Sequence, residues 1–256
     1  MSNTKHSKPY ARLALGLALG LAVAACHTPP GSQAPQAQLQ TFPKSEGLSA
    51  RQQAIVPIAA LAASGDMSRL GPALNASLNA GLTVNEAKEV LVQVYAYAGF
   101  PRSLNALGEL MKVVDARKQR GIQDQPGLAP VRAIPKGDAL RAAGAANQTR
   151  LAGAPVNAPL YDFAPVVSEY LQSHLFGDIF ERDNLDWQSR ELATVSMLSM
   201  LQGAESQLQS HMGFSRNVGI TVAQLNQLAQ VLAERVDAVA AKRAQDALAR
   251  HIASRK

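Results

Sequence analysis

The sequence predicts an all-α fold made of two tandem copies of one helical unit. Three observations predict it. No stretch of the 256 residues alternates apolar and polar side chains with the period of two that a half-buried strand needs, whereas apolar residues recur three and four positions apart. The chain also repeats itself: residues 185–201 overlay residues 48–64 at an offset of 137, and one extra residue near Gln202 makes the later offset 138. At that offset Asn79-Ala80-Gly81-Leu82-Thr83 falls on Asn217-Val218-Gly219-Ile220-Thr221, so a helix end and the next helix start recur together. Abundant alanine and an aromatic content of 5% suit helices packed at close range.

Taken in order, the first folded element begins at Ser49-Ala50-Arg51-Gln52, which has the form of a capping box. Residues 54–63 follow and are apolar on all sides, which predicts a buried helix. Pro57 either kinks that helix or marks a later start. Gly65-Asp66 ends it, and Leu70, Leu74 and Leu78 recur on one face of the next. Gly81 can take the left-handed conformation that closes a helix, Thr83 and Glu86 form a capping box, and Leu82 can staple onto Ala87. The third helix carries Val90, Leu91, Val94 and Tyr95 and runs to Tyr97-Ala98-Gly99-Phe100-Pro101. A fourth is expected over 103–118, with Leu104, Leu107, Leu110, Met111 and Val114 facing inward. Residues 121–159 are rich in Pro, Gly and Ala and read mostly as a linker. The second unit starts within 171–180, and Asp186 is placed to cap the helix that contains Glu191. Thr221 and Gln224 repeat the capping box, Ile220 can staple onto Leu225, and a long polar-faced helix is expected over 233–252. The organisation read from these signals is residues 48–118 as one unit, 119–159 as linker and 160–253 as the second unit.

Composition narrows the compartment and the chemistry. Hydrophobic residues make up 47% and charged residues 17%, a balance able to bury a sizeable core. Lys5, Lys8 and Arg12 supply half of the formal charge of +6, and no basic stripe interleaved with aromatics supports nucleic-acid binding. These three residues precede an apolar run, residues 13–25, that is too short to span a bilayer, where roughly 20 residues are needed. Its end, Val23-Ala24-Ala25-Cys26, resembles the lipobox of bacterial lipoproteins. That resemblance implies a signal over 1–25, a lipid on the thiol of Cys26 and a flexible tether over 26–47. It places the protein in the cell envelope, anchored through its N-terminal lipid and facing the periplasm. His27 rather than Asp after the cysteine favours the outer membrane. Cys26 is the one cysteine, so a lipidated chain has neither thiol catalysis nor cysteine-based metal sites.

Residues 79–106, 176–192 and 211–221 resemble the carboxymuconolactone decarboxylase family, which includes the alkylhydroperoxidase-D-like proteins. The resemblance implies an all-helical unit that assembles into trimers or hexamers, with a tandem chain standing in for a dimer. The hydroperoxidase branch uses Cys-x-x-Cys-x-x-x-His. Counting back from His211, its thiol positions hold Gln207 and Ala204, so peroxide reduction has no nucleophile here. In the first unit Ala54 and Ala73 stand where Glu191 and His211 stand in the second. The decarboxylase branch acts on a small lactone dicarboxylate without metal or organic cofactor, and its His-x5-Asn-x-Gly pattern matches His211, Asn217 and Gly219.

On that resemblance His211 and Glu191 are the expected catalytic pair. Loss of CO2 beside an unsaturated lactone needs a group that protonates the carbanion-like product, a role suited to a histidine. Glu191 would orient it or carry the proton, and Arg190 or Arg216 would hold a substrate carboxylate in bidentate fashion. Asn217 and Gly219 belong to the turn. Tyr95, Tyr97 and Phe100 read as core or subunit contacts, and His174, His211 and His251 show no metal-ligand spacing. Two readings of function follow: a cofactor-free carboxy-lyase or related acid/base enzyme acting on a small acid or lactone, and a non-catalytic helical module that kept the fold. Export favours the module, and a sensor or carrier that reuses the old pocket is a third reading.

Overall fold

Ten apolar residues in an unbroken row, 54–63, bury on every side and set the centre of the molecule. The computed structural model describes residues 47–254, so the expected signal, Cys26 and nearly all of the tether lie outside the described residues. Helix α1 (Ala50–Ser64) holds that row, with Pro57 inside the helix rather than at its start. The Ser49 and Gln52 side chains cap each other's backbone N–H groups, and Gly65 closes the helix in the left-handed region. Three more helices complete the first half: α2 (Met67–Asn79), α3 (Val84–Ala98) and α4 (Phe100–Gln119). Gly81 takes φ 92°, as the turn between α2 and α3 requires, and Thr83 and Glu86 form the expected capping box.

The second half repeats this order with α8 (Trp187–Met200), α9 (Glu205–Asn217), α10 (Val222–Arg235) and α11 (Ala238–Ala253). Gly219 takes φ 94° and Thr221 with Gln224 repeats the capping box. The long helix expected over 233–252 is two helices. The chain turns at Val236, and the Asp237 side chain accepts from the Ala240 N–H at 2.7 Å to start α11. Residues 236–237 therefore do the work that Gly99 does between α3 and α4, although the sequences there share nothing.

Helices α1 and α8 pack against each other at the centre, and each half lends its third helix to the other: α3 lies against α8 and α10 against α1. One hydrophobic core spans both halves, from Leu48 to Leu248. No strand occurs among the described residues.

Between the halves the chain departs from expectation. Residues 121–159 contain a 16-residue helix, α5 (Gly137–Ala152), followed by two short helices, α6 (Pro159–Phe163) and α7 (Pro165–Tyr170), and a π-helical segment, Leu171–Ile179. Helix α5 and the π-helical segment meet at backbone distance, because a Cβ at Gly144 would collide with the carbonyl of Gln172. Small residues that permit this contact were the source of the linker-like composition. The two form a cap with its own apolar cluster, Leu151, Leu175, Phe176, Ile179 and Phe180. A second correction concerns α4: its buried face is Ser103, Ala106, Leu110, Val113 and Arg117, while Leu104 and Met111 are each 63% exposed.

Candidate functional site

Helix α8 is buried along almost its whole length, so each polar residue on it needs an internal partner. Ser196 and Ser199 donate back to the carbonyls of Leu192 and Val195, each at 2.7 Å. Glu191, fully buried, takes its partner from α9: its Oε2 lies 2.9 Å from His211 Nδ1. His211 is 6% exposed. The two meet because Asp186 starts α8 and the turn after Met200 folds α9 back along it. Glu191 Oε1 has no hydrogen-bond partner among the described residues.

Two aromatic rings close the pair. Tyr97, from α3, stands edge-on to the imidazole at 5.8 Å between centroids, and Phe214, one turn further along α9, does so at 4.8 Å. Burial and then the charge of Glu191 push the Tyr97 phenol well above its ordinary pKa, so the hydroxyl stays neutral. It lies 3.3 Å from Thr194 Oγ1, which in turn accepts from Gln93 Nε2 at 2.7 Å. Phe214 and Tyr97 also pack against the cluster of the cap, and α5 lies over α9, so the cap roofs the pair.

The other expected residues lie apart from the pair. Arg190 is fully buried, yet its guanidinium turns toward α3: it donates to Glu89 Oε2 at 3.1 Å, to Gln93 Oε1 at 3.3 Å and to the Arg182 carbonyl at 3.1 Å. Arg182 and Asn184 also donate to Glu89, which makes a buried ion cluster. With its charge matched inside the protein, Arg190 offers no open fork to a substrate carboxylate, contrary to the role expected for it. Arg216 and Gln207 are exposed on α9, and Arg216 does not share the face of His211. Asn217 caps the roof instead, donating to the Leu151 carbonyl at 2.8 Å. His174 belongs to a separate surface group, with Nδ1 2.8 Å from Asp178 Oδ2 and Nε2 hydrogen-bonded to the Tyr95 hydroxyl. Tyr95 stacks on the exposed ring of Phe100 at 4.4 Å. Among the described residues no three His, Cys, Asp or Glu side chains gather closely enough to hold a metal ion.

Sequence reasoning missed the neighbours rather than the pair. Tyr97 aligns with Arg235 in the other half, and that match emerges only when the offset of 138 is carried past the point where the two sequences stop resembling each other. Glu89 and Gln93, one turn apart among the apolar residues of α3, were the available signal for the ion cluster.

Comparison with known families agrees with this geometry. The model of the carboxymuconolactone decarboxylase family matches residues 36–111 and again residues 165–250. The chain belongs to the carboxymuconolactone decarboxylase family. Each match covers most of one half, so this family member is a tandem of helical units, one of which carries a Glu–His pair. Helix α5 lies between the two matched regions, whereas the π-helical segment it packs on lies inside the second. No curated protein matches the chain.

Proposed function

We propose that this family member is an acid/base enzyme in which His211 moves a proton at a small acid or lactone and Glu191 sets the imidazole. The observation that carries the reading is the buried Glu191–His211 hydrogen bond with the second carboxylate oxygen left open. A carboxylate kept only for stability has its acceptors filled, as Glu89 does, because an unmet buried acceptor costs on the order of 1–3 kcal/mol. With Nδ1–H donated to Glu191, the His211 Nε2 is the atom that gives or takes the proton. In the decarboxylation, the C–C bond to the carboxylate breaks, CO2 leaves, and the electron pair left on the ring carbon takes a proton from Nε2–H. A proton taken up from solvent then restores Nε2–H, so one proton is consumed for each CO2 released. The rings of Tyr97 and Phe214, both edge-on to the imidazole, bound the space that a ligand at His211 can take.

The remaining parts of the proposal concern place and assembly. The lipobox-like end of residues 1–26 supports export and attachment at Cys26, facing the periplasm. Family membership and the exposed apolar residues Phe100, Leu104 and Met111 on α4 support a homo-oligomer, as a trimer or hexamer. One observation favours the second reading, a non-catalytic module: His211 is nearly closed to solvent.

A turnover screen of the full chain against lactones and aromatic acids tests the enzyme reading. With a substrate in hand, His211→Ala should lower kcat by about 10²–10⁴, the usual worth of a positioned acid/base group. Unchanged turnover in that variant sinks the proposal. A complete absence of turnover on the whole panel, with His211→Ala lowering only thermal stability, favours the module.

A further inference from the structure

Carrying the offset between the halves through His211, its hydrogen-bond partner and its two ring neighbours leads to a second place in the molecule. Glu191 falls on Ala54, His211 on Ala73, Phe214 on Ala76 and Tyr97 on Arg235. These four residues come from α1, α2 and the end of α10, the mirror of the α8, α9 and α3 set that builds the Glu–His site. Three large side chains have become alanine and one ring has become an arginine. The space they vacate is a cavity of about 330 Å³, lined among others by Ala54, Pro57, Ala73, Ala76, Arg69 and Arg235. That volume lies within the range of small-molecule sites, roughly 300–1,000 Å³. In the other half, α5 and the π-helical segment roof the matching site, whereas this cavity is open at the end where Arg235 is exposed.

The walls decide what fits. Ala54, Pro57, Leu61, Pro72, Ala73 and Ala76 offer no polar side chain. The Ser77 hydroxyl is engaged by the Ala54 and Ala73 carbonyls, at 2.9 and 2.8 Å. The remaining polar lining is Ser68, whose hydroxyl donates to Asp66 Oδ1 at 2.7 Å, and two arginines that form the rim. Arg69 is held there by Asp66 Oδ2 at 2.7 Å on its Nε and by the Val236 carbonyl at 2.6 Å on one Nη, which fixes its guanidinium beside the end of α10. Asp66 balances one of the two rim cations, and the second, Arg235, stands in the last turn of α10.

We propose that this cavity is a ligand site, distinct from the Glu191–His211 site, for a small carboxylate with an apolar body, the body entering the alanine- and proline-lined space and the carboxylate meeting the fork of Arg235, with Arg69 contributing at most its second Nη. Guanidinium groups suit planar carboxylates because their N–H donors form a fixed fork. The site is binding-only: with alanine at both positions of the Glu–His pair it holds no acid or base for chemistry.

The test is titration calorimetry of the full chain with octanoate, with octanol as the uncharged probe. Octanoate should bind saturably at one site per chain, at about millimolar or tighter given its ten heavy atoms, and octanol more weakly. Arg235→Gln, at an exposed position, should weaken octanoate about tenfold, the worth of a charge-assisted contact, and erase its advantage over octanol. Ala76→Phe, which restores the ring found at the matching position 214, should abolish binding. The proposal is overturned by no saturable octanoate binding to the folded wild type. It is equally overturned by octanoate affinity that Arg235→Gln leaves unchanged, or by binding that persists in a folded Ala76→Phe variant. Should Ala76→Phe fail to fold, the Arg235→Gln result decides alone.

Discussion

Glu89 and Glu191 are both buried carboxylates, on α3 and α8, and their surroundings separate two uses of a buried charge. Glu89 accepts from Arg182, Asn184 and Arg190 and joins the halves through a cluster in which both its oxygens are occupied. Burial alone would push its carboxyl up, but the hydrogen bonds from Arg182 and the charges of Arg190 and Arg182 outweigh it and hold the carboxyl below its ordinary value of 4.5. A carboxyl held lower in the folded state than in the unfolded one stabilises fully above 4.5 and loses that contribution as the pH falls through 4.5 toward the folded value. Denaturant midpoints taken from neutral pH down to about pH 3 should therefore fall steeply in the wild type and less steeply in Glu89→Gln. Identical slopes would show that Glu89 carries no acid sensitivity. At neutral pH Glu89→Ala should cost about 3–5 kcal/mol, since it leaves Arg190 buried and unpaired. Glu191 has one donor and an empty oxygen, which is why function rather than stability is assigned to it.

At the scale of the helix, the two halves are defined by the same starts and stops. Thr83 with Glu86 and Thr221 with Gln224 close the same two-way hydrogen bonds, at 2.9–3.3 Å and 2.9–3.1 Å. Arg51 adds an ion pair to Glu86 that Gln224 lacks. Thr221→Ala should cost about 1 kcal/mol and Thr83→Ala a similar amount, each read from the shift in denaturant midpoint. A cost near zero at either position would mean that tertiary packing alone holds that helix start. Helix α4 shows the limit of reading a face from periodicity. It carries two apolar stripes, one at 106, 110 and 113 and one at 100, 104 and 111, and both have helical spacing. Only contact with α2 and α3 settles that the first is core.

For the molecule as a whole, the exchange of third helices makes the halves interdependent: α3 completes the site on α8 and α9, and α10 completes the cavity on α1 and α2. In the proposed homo-oligomer, the exposed stripe of α4, Phe100, Leu104 and Met111, is the surface that would meet a second copy. Sedimentation should show the wild type as an oligomer and a Leu104→Lys/Met111→Lys double variant as a monomer of unchanged helicity. A monomeric wild type, or a double variant that still assembles, rules out that surface. Among the described residues no helix is long and apolar enough to cross a membrane.

The amino-acid order alone determined the helical class, the repeat and most helix ends. These depend on contacts within a turn or two: Ser49 with Gln52, Thr83 with Glu86, Gly81 and Gly219 at positive φ, Asp186 over Ser189. It also singled out Glu191, the one acid of a largely apolar helix, and His211, on an amphipathic helix, as the positions that match a family motif. What only the tertiary structure decided involves residues far apart along the chain. Arg190 was free to serve a substrate until Glu89, about a hundred positions away, was seen to claim it. The segment 121–159 read as a linker because its glycines and alanines mark a loop in sequence and a backbone-to-backbone contact in space. Tyr97 closes His211, and Arg235 opens the opposite cavity, because each half crosses to complete the other. That crossing is a packing choice between helices, and side-chain periodicity carries no record of which neighbour a buried face will meet.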